Sequence, residues 1–407
     1  MQKVIDCRPP FKRLEGQKAE ELFDMLSTPS YVVDEQQLIK NAEILKNVID
    51  KTGCKILLAQ KAFSNYDFYP LLSKYLSGSE ASGLYEARLG YEEMKGKEVH
   101  VFCGAYRTDE FVEILKYADH IVFNSIHQLK TFGPLAKQYH KSTGLRINPQ
   151  CSTQEGHAIY DPCAPGSRLG VTKEVWLEEM DDETLQLLDG LHFHTLCEQN
   201  ADALKTTLQA VERQFGTYLK QMKWLNMGGG HHITRDDYDT DMLMDCIRFA
   251  QQEWNVEVYL EPGEAVALNA GYLVTRVLDI VKNKDMNIAI VDASAACHMP
   301  DVIEMPYTPP LYQANETKTQ TNIHRYRLGG PTCLSGDIIG DYYFASELTV
   351  GDVLVFGDMA IYTTCKNNTF NGMPLPNIYA YGTNKDCIPL TNFGYDDFKG
   401  RLGRRYK

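Results

Sequence analysis

The residues of this 407-residue chain best suited to chemistry sit where strand-like runs give out. Lys61 closes the run Lys55-Ile-Leu-Leu-Ala-Gln-Lys-Ala-Phe63. An amine there is costly to bury unless it is paired or used covalently. Desolvation lowers its pKa, and the neutral amine can then attack a carbonyl. His192 and His194 lie in Gly190-Leu-His-Phe-His-Thr-Leu-Cys-Glu198. Strand alternation turns both to one face and Phe193 to the other, where an imidazole can stack on a flat ring. Met227-Gly-Gly-Gly-His231 follows the next strand-like run. The bare backbone of Gly228, Gly229 and Gly230 can approach an anion such as a phosphate closely. A helix pattern after it can add positive potential from its N-terminus. Glu261, in Leu260-Glu-Pro-Gly-Glu264, ends a further strand and can keep a facing ring nitrogen protonated. Cys333, in Gly329-Gly-Pro-Thr-Cys-Leu-Ser-Gly-Asp337, offers an acid. Tyr362, in Gly357-Asp-Met-Ala-Ile-Tyr-Thr363, offers a hydroxyl to a phosphate. Each has a plainer reading: a snorkelling surface lysine, a satisfied core histidine, a flexible turn, or a common Glu-Pro-Gly turn.

The elements that must position these residues alternate from about residue 30 to 265. Strand candidates lie near 55–62, 78–82, 99–104, 119–124, 144–149, 190–195, 224–228 and 256–261. The clearer helical patterns are Asn65–Tyr75, Leu84–Lys95, Asp109–Ala118, Ile126–Lys141, Ala201–Lys220 and Asp236–Glu253. Eight strands, each followed by a helix, predict an α/β fold with a closed (β/α)8 TIM-like barrel; a doubly wound open sheet is the rival. Catalytic groups of such barrels occupy the C-terminal strand ends. The stretch Cys151–Arg168 interrupts the rhythm and reads as a long rim loop. After about 266, strands are expected at Tyr272–Val281, Asn287–Val291, Ile323–Leu328, Val353–Phe356 and Asn377–Tyr381, without long helices between them. The expected domains are an arm of residues 1–27 joining the β domain, a barrel of 28–265, and a mostly β C-terminal domain of 266–407.

Composition narrows the functional class. A net charge of −13 argues against nucleic-acid binding and is compatible with a cationic small molecule or with plain solubility. No stretch approaches the roughly 20 apolar residues of a membrane span. Met1–Pro10 lacks the apolar core of a signal peptide, so a cytoplasmic location is expected. Eleven cysteines without a Cys-x-x-Cys pair suggest reduced thiols, and no His/Cys group has zinc spacing.

In order, these segments resemble the fold-type III pyridoxal phosphate decarboxylases, the alanine-racemase-like group that includes ornithine, arginine and diaminopimelate decarboxylases. The likeness runs from Thr28-Pro-Ser-Tyr-Val-Val-Asp34 to about Tyr381. Within the group the chain is most similar to the carboxynorspermidine/carboxyspermidine decarboxylase branch. Leu58-Ala-Gln-Lys-Ala-Phe63, His192-Phe-His-Thr-Leu-Cys-Glu198, Glu261-Pro-Gly-Glu-Ala-Val266 and the stretch Asp292–Tyr307 carry that likeness. The resemblance implies pyridoxal 5'-phosphate held covalently by Lys61, with His194 stacked on the ring and Glu261 at its nitrogen. Gly228, Gly229, Gly230 and Tyr362 would hold the phosphate, and Cys333 would protonate the reacting carbon. It also implies a homodimer with active sites at the subunit interface.

The departures bear on substrate. Glu264 stands where the group usually carries an arginine after Glu-Pro-Gly, which suggests a distal amine in place of a distal carboxylate. Glu264 and Asp301, and more weakly Asp337, are the expected amine-binding carboxylates, through charge-assisted bonds. The expected reaction is decarboxylation of a cationic carboxy-polyamine to norspermidine or spermidine. Diaminopimelate decarboxylase is the alternative and Glu264 speaks against it. A racemase, a pyridoxal phosphate carrier protein and a regulatory homologue without activity are further rivals. The Glu261 carboxylate, the residues after 266, and the retained lysine with its glycine turn speak against these in turn.

Overall fold

The computed structural model describes Phe11, Leu14 and residues 19–154, 160–314, 323–384 and 386–403. Most of the expected arm of 1–27, including Met1–Pro10, and part of the expected rim loop lie outside the described residues. The chain divides into two compact units. One is Ile39–Val266; the other comprises the described residues of Met1–Leu38 and of Ala267–Lys407.

The first unit is a closed barrel of eight parallel strands in chain order. They are β2 (Lys55–Ala59), β3 (Gly78–Ala81), β4 (Glu98–Phe102), β5 (His120–Phe123), β6 (Ser142–Arg146), β7 (Gly190–His192), β8 (Trp224–Asn226) and β9 (Glu257–Leu260); β1 is the strand Ser30–Asp34, outside the barrel. The barrel closes where Lys55 and Ile56 pair with Tyr259 and Leu260. The open-sheet rival is thereby set aside. The strands are short and buried on both faces, as expected when helices cover the outside. The helix Ala201–Leu219 shows why: Leu204, Leu208, Val211, Phe215 and Leu219 form one stripe and are buried together.

Local chemistry moves several boundaries. Pro70 in the first turn of Tyr69–Leu72 separates that helix from a 3-10 turn at Tyr66–Phe68, so the expected single helix Asn65–Tyr75 is two short ones. The helix expected from Asp236 begins only at Thr240, where the Asp239 side chain accepts from the Met242 amide. β7 ends at His192, so His194 lies beyond strand pairing.

The interior is filled by unequal partners. Register sets Gly144 beside Gly190 and Gly190 beside Trp224. A Cβ on Gly144 or Gly190 would lie 2.2 or 2.0 Å from atoms of the Trp224 ring. Two glycines therefore make the space that one indole fills.

The second unit is a mixed sheet ordered β13-β12-β11-β10-β1-β15-β16, with β14 paired to β10. These strands are β10 (Gly271–Asn283), β11 (Met286–Val291), β12 (His324–Gly329), β13 (Ile338–Phe344), β14 (Val353–Gly357), β15 (Asn377–Tyr381) and β16 (Cys387–Thr391). Its interior strand β1 comes from residues expected in the barrel. All five of its residues are buried, between antiparallel β10 and parallel β15, and Tyr31 and Val32 enter cores on opposite faces. Strands β13 and β16 escape the sequence pattern, one interrupted by Gly340 and Asp341, the other carrying Pro389.

Replacing Gly190 with alanine is expected to destabilise the barrel by about 1–3 kcal/mol through overpacking against Trp224. Gly104→Ala, whose Cβ meets nothing within 4 Å, is expected to stay within about 0.5 kcal/mol of the parent. Urea midpoints compare the two; equal midpoints would contradict the packing account.

Candidate active site

A ring of polar residues stands at the C-terminal ends of the barrel strands. Lys61 follows β2, Glu80 lies near the end of β3, and Arg146, His192 and Asn226 are the last residues of β6, β7 and β8. Glu261 follows β9 directly. Register pairs Arg146 with His192 and His192 with Asn226, so neighbouring strands present their terminal side chains at one level.

Lys61 is half-buried, and its Nζ lies 3.3 Å from Oε2 of the buried Glu80. Burial alone pulls the Lys61 ammonium down, but the charges of Glu80 and Glu261 outweigh it and hold the pKa above the ordinary lysine value. This corrects the expectation of a lysine made neutral by desolvation, which took no account of a facing carboxylate. Burial pushes Glu80 up to about 7, against the pull of Lys61 and with the help of Glu261. An ammonium and an easily protonated carboxylate are thus in contact, a pair between which a proton can pass.

Glu261 is buried and fixed on both oxygens. Oε1 accepts from Asn226 Nδ2 at 2.5 Å, and Oε2 lies 3.1 Å from His192 Nε2. Burial works against its charge, yet His192 and then Lys61 bring it down to about 2. His192 stacks on Phe102 at 5.5 Å, and burial lowers its own pKa. Arg146 also meets Phe102: its guanidinium lies 4.7 Å from the ring centroid and donates to the His194 carbonyl at 3.0 Å. Burial brings this guanidinium down to about 10.

His194 is held well below the usual imidazole range by burial and then by the charges of Lys61 and Arg146. Its Nδ1 accepts from the Gly229 amide at 3.2 Å, which puts the ring proton on Nε2. The glycine turn is therefore partly engaged already. The Gly228 amide donates to Asn226 Oδ1 at 2.9 Å, and among the described residues only the Gly230 amide of the three finds no acceptor. The turn is also tightly enclosed. Gly228 and Gly230 have φ of 67° and 80°, and Cβ atoms on the three glycines would fall 2.4, 2.5 and 2.0 Å from the carbonyl oxygens of Phe193, Glu261 and Leu196. Only residues without side chains let the turn pack this closely on the neighbouring main chain. The helix start expected to reinforce it lies ten residues further on, at Thr240.

Glu264 opens a short helix, half-buried, with Oε2 3.8 Å from His232 Nε2. The remaining expected residues belong to the sheet unit. Cys333 is exposed, and its amide donates to Asn371 Oδ1 at 3.0 Å. Tyr362 is half-buried and sits at φ 51°, an uncommon backbone for a tyrosine. Asp301 is ion-paired to Lys366 at 2.5 Å, a cation that it shares with Glu304. Asp337 is buried and accepts from Ser294 Oγ, Thr332 Oγ1 and the Ala296 amide at 3.0, 2.7 and 3.3 Å. It braces its own loop, which accounts for a buried carboxylate without any ligand.

Sequence reasoning missed Glu80, Arg146 and Asn226, and it missed the bond from His192 to Glu261. Their signal is a polar residue at or near the end of an otherwise small or apolar strand, which becomes visible once the strand ends are fixed. Glu80→Gln is expected to lower the pKa of the Lys61 amine, because the nearest opposing charge is removed. The pH dependence of Lys61 acylation in cofactor-free protein measures it. An unshifted profile would contradict the pairing.

The residues present fit pyridoxal phosphate: a lysine amine just past a strand end, a neutral imidazole, an ionised carboxylate with fixed orientation, and a glycine turn whose Gly230 amide has no acceptor among the described residues. Comparisons with known proteins agree. The family model described as "Pyridoxal-dependent decarboxylase, C-terminal sheet domain" matches residues 30–360. The carboxynorspermidine/carboxyspermidine decarboxylase of Campylobacter jejuni is 40% identical, over 93% of this chain and 99% of that one. The carboxyaminopropylagmatine decarboxylase of Synechocystis is 39% identical, over 93% and 96%. The crystal structure of the Campylobacter jejuni carboxynorspermidine decarboxylase complexed with norspermidine superposes with a TM-score of 0.84, covering 92% of this chain and all of that one. The chain belongs to the pyridoxal-dependent decarboxylase family of fold type III, and is a pyridoxal phosphate-dependent carboxy-lyase.

Proposed function

We propose that the protein decarboxylates carboxynorspermidine, carboxyspermidine or both, yielding norspermidine or spermidine in polyamine biosynthesis. The observation that carries this reading is the 40% identity to the Campylobacter jejuni decarboxylase across nearly the full length of both chains. The diaminopimelate decarboxylases among its relatives are far more distant, at 23–25% identity. Glu264 supports the choice as well, since a carboxylate at that place favours an amine-bearing tail over a carboxylate-bearing one.

Pyridoxal phosphate, when bound, supplies the conjugated ring that takes up the electron pair left behind as the substrate's carboxylate departs as carbon dioxide. Lys61 would hold the cofactor covalently. Its ammonium must first lose a proton, and Glu80, 3.3 Å away, is the acceptor in place to take it. Glu261 keeps a proton on the ring nitrogen, and His192 and Asn226 hold it in orientation and ionised. The neutral His194 would pack against the ring of the bound cofactor and fix its orientation. Gly228, Gly229 and Gly230 admit the phosphate to the main chain, with the Gly230 amide as its free donor. The family resemblance assigns Tyr362 to the phosphate and Cys333 to protonation of the reacting carbon. Glu264 is the foremost acceptor for a distal substrate amine; a substrate amine at Asp301 would displace Lys366. A cytoplasmic homodimer with active sites at the subunit interface is part of the same proposal, on the same resemblance.

Turnover with carboxynorspermidine, carboxyspermidine, carboxyaminopropylagmatine, diaminopimelate, ornithine and arginine tests the substrate. The two carboxy-polyamines differ by one methylene and are expected within roughly 200-fold of each other in kcat/KM. Both are expected to exceed diaminopimelate by about 100-fold or more, because its distal carboxylate would face Glu264. A preference for diaminopimelate would overturn the assignment. Lys61→Ala is expected to show no turnover above background, and full turnover would remove Lys61 from the mechanism.

A further inference from the structure

The opposite mouth of the barrel holds a second polar cluster for which decarboxylation has no use. Glu98 and His100 are two apart on β4, so alternation turns them to one side, and register places His120 of β5 beside His100. One donor atom from each of the three lies within 4.8 Å of the others. Both imidazoles carry a buried Nδ1 that finds no hydrogen-bond partner among the described residues. His100 is wholly buried. Buried ring nitrogens without partners are uncommon in a finished fold and ask for a reason.

The surroundings resemble a support for a charged centre. Glu98 Oε2 lies 3.2 Å from His100 Nε2, while Oε1 receives Lys55 Nζ at 2.5 Å. Lys55 is shared with Glu257 at 3.1 Å and Tyr259 Oη at 3.0 Å, and that hydroxyl donates to Glu257 at 2.7 Å. Lys55 can therefore release Glu98 and remain neutralised by Glu257. The rings of Tyr259 and Trp224 close over the imidazoles, at 4.6 Å from His100 and 5.2 Å from His120.

We propose that Glu98, His100 and His120 bind one divalent transition-metal ion of the zinc class, with water completing the coordination. Two imidazoles and a carboxylate are a donor set that zinc accepts, and an apolar wall around it limits exchange with solvent. Its place at the strand starts, away from the catalytic strand ends, makes the ion a clasp between β4 and β5 and not a catalyst. The two rings stack at 3.9 Å and 10°. Loading turns them out of that stack, so that one nitrogen of each faces Glu98. Donor separations then close to the about 3.4 Å of tetrahedral zinc.

Cobalt(II) is the probe. Chelator-treated, cofactor-loaded full-length protein is titrated with it and followed by visible difference absorption. One equivalent per chain is expected, with the intensity of a four- or five-coordinate ion, displaced by zinc. The double substitution His100→Gln/His120→Gln is expected to abolish the signal. Glu98→Gln, which keeps side-chain volume, is expected to weaken cobalt binding roughly tenfold or more, and it is the deciding variant if the double substitution does not fold. No uptake by the parent protein in excess cobalt, or parental affinity in Glu98→Gln, would overturn the site.

Discussion

One ammonium held between two buried carboxylates governs the C-terminal mouth of the barrel. Lys61 touches Glu80 and feels Glu261, and each of the three shapes the proton affinity of the others. Two carboxylates in a dry site cannot both ionise freely, so the arrangement splits them. Glu261, bonded to His192 and Asn226, is held low; Glu80, with Lys61 as its main partner, is raised by burial to about 7. The division gives two residues of the same type opposite tendencies, one firmly anionic and one readily protonated. Under the proposed function Glu261 would serve the cofactor ring, and Glu80 would take the proton that Lys61 gives up.

The scaffold makes that division possible by fixing strand ends at one level. The barrel closes through Lys55 and Ile56 against Tyr259 and Leu260. The Trp224 indole, seated against Gly144 and Gly190, fills the interior where these strands converge. Packing of that kind resists small shifts, which a pair such as His192 and Glu261 at 3.1 Å requires. The glycine turn after β8 then brings the Gly229 amide onto His194 and the Gly228 carbonyl onto the Glu261 amide. The glycine turn, His194 and Glu261 are thus coupled through one short stretch of main chain.

Much of this was legible in the sequence, and the failures share a cause. Eight strand positions, the barrel, the following β domain, and Lys61, His194 and Glu261 could be read from periodicity and from chemistry at strand ends. What could not be read are partners supplied by other strands. Lys61 alone reads as an amine driven neutral by burial; only register brings Glu80 to it. Asp337 reads as a free carboxylate until Ser294, Thr332 and Ala296 are seen around it, and Asp301 until Lys366 is. β1 reads as the start of the barrel because its apolar run suits either unit, and only its pairing with β10 and β15 decides. The late helix start at Thr240 reflects Asp239, one of several aspartates in close succession that could each have capped it.

The central claim is that the amine beside Glu80 is the one that bonds the cofactor. Borohydride reduction of the cofactor-loaded protein, followed by peptide mapping, tests it in one step. The account predicts a reduced pyridoxal phosphate adduct on the peptide that contains Lys61. An adduct confined to any other lysine, or none at all from protein that retains its cofactor, would contradict it.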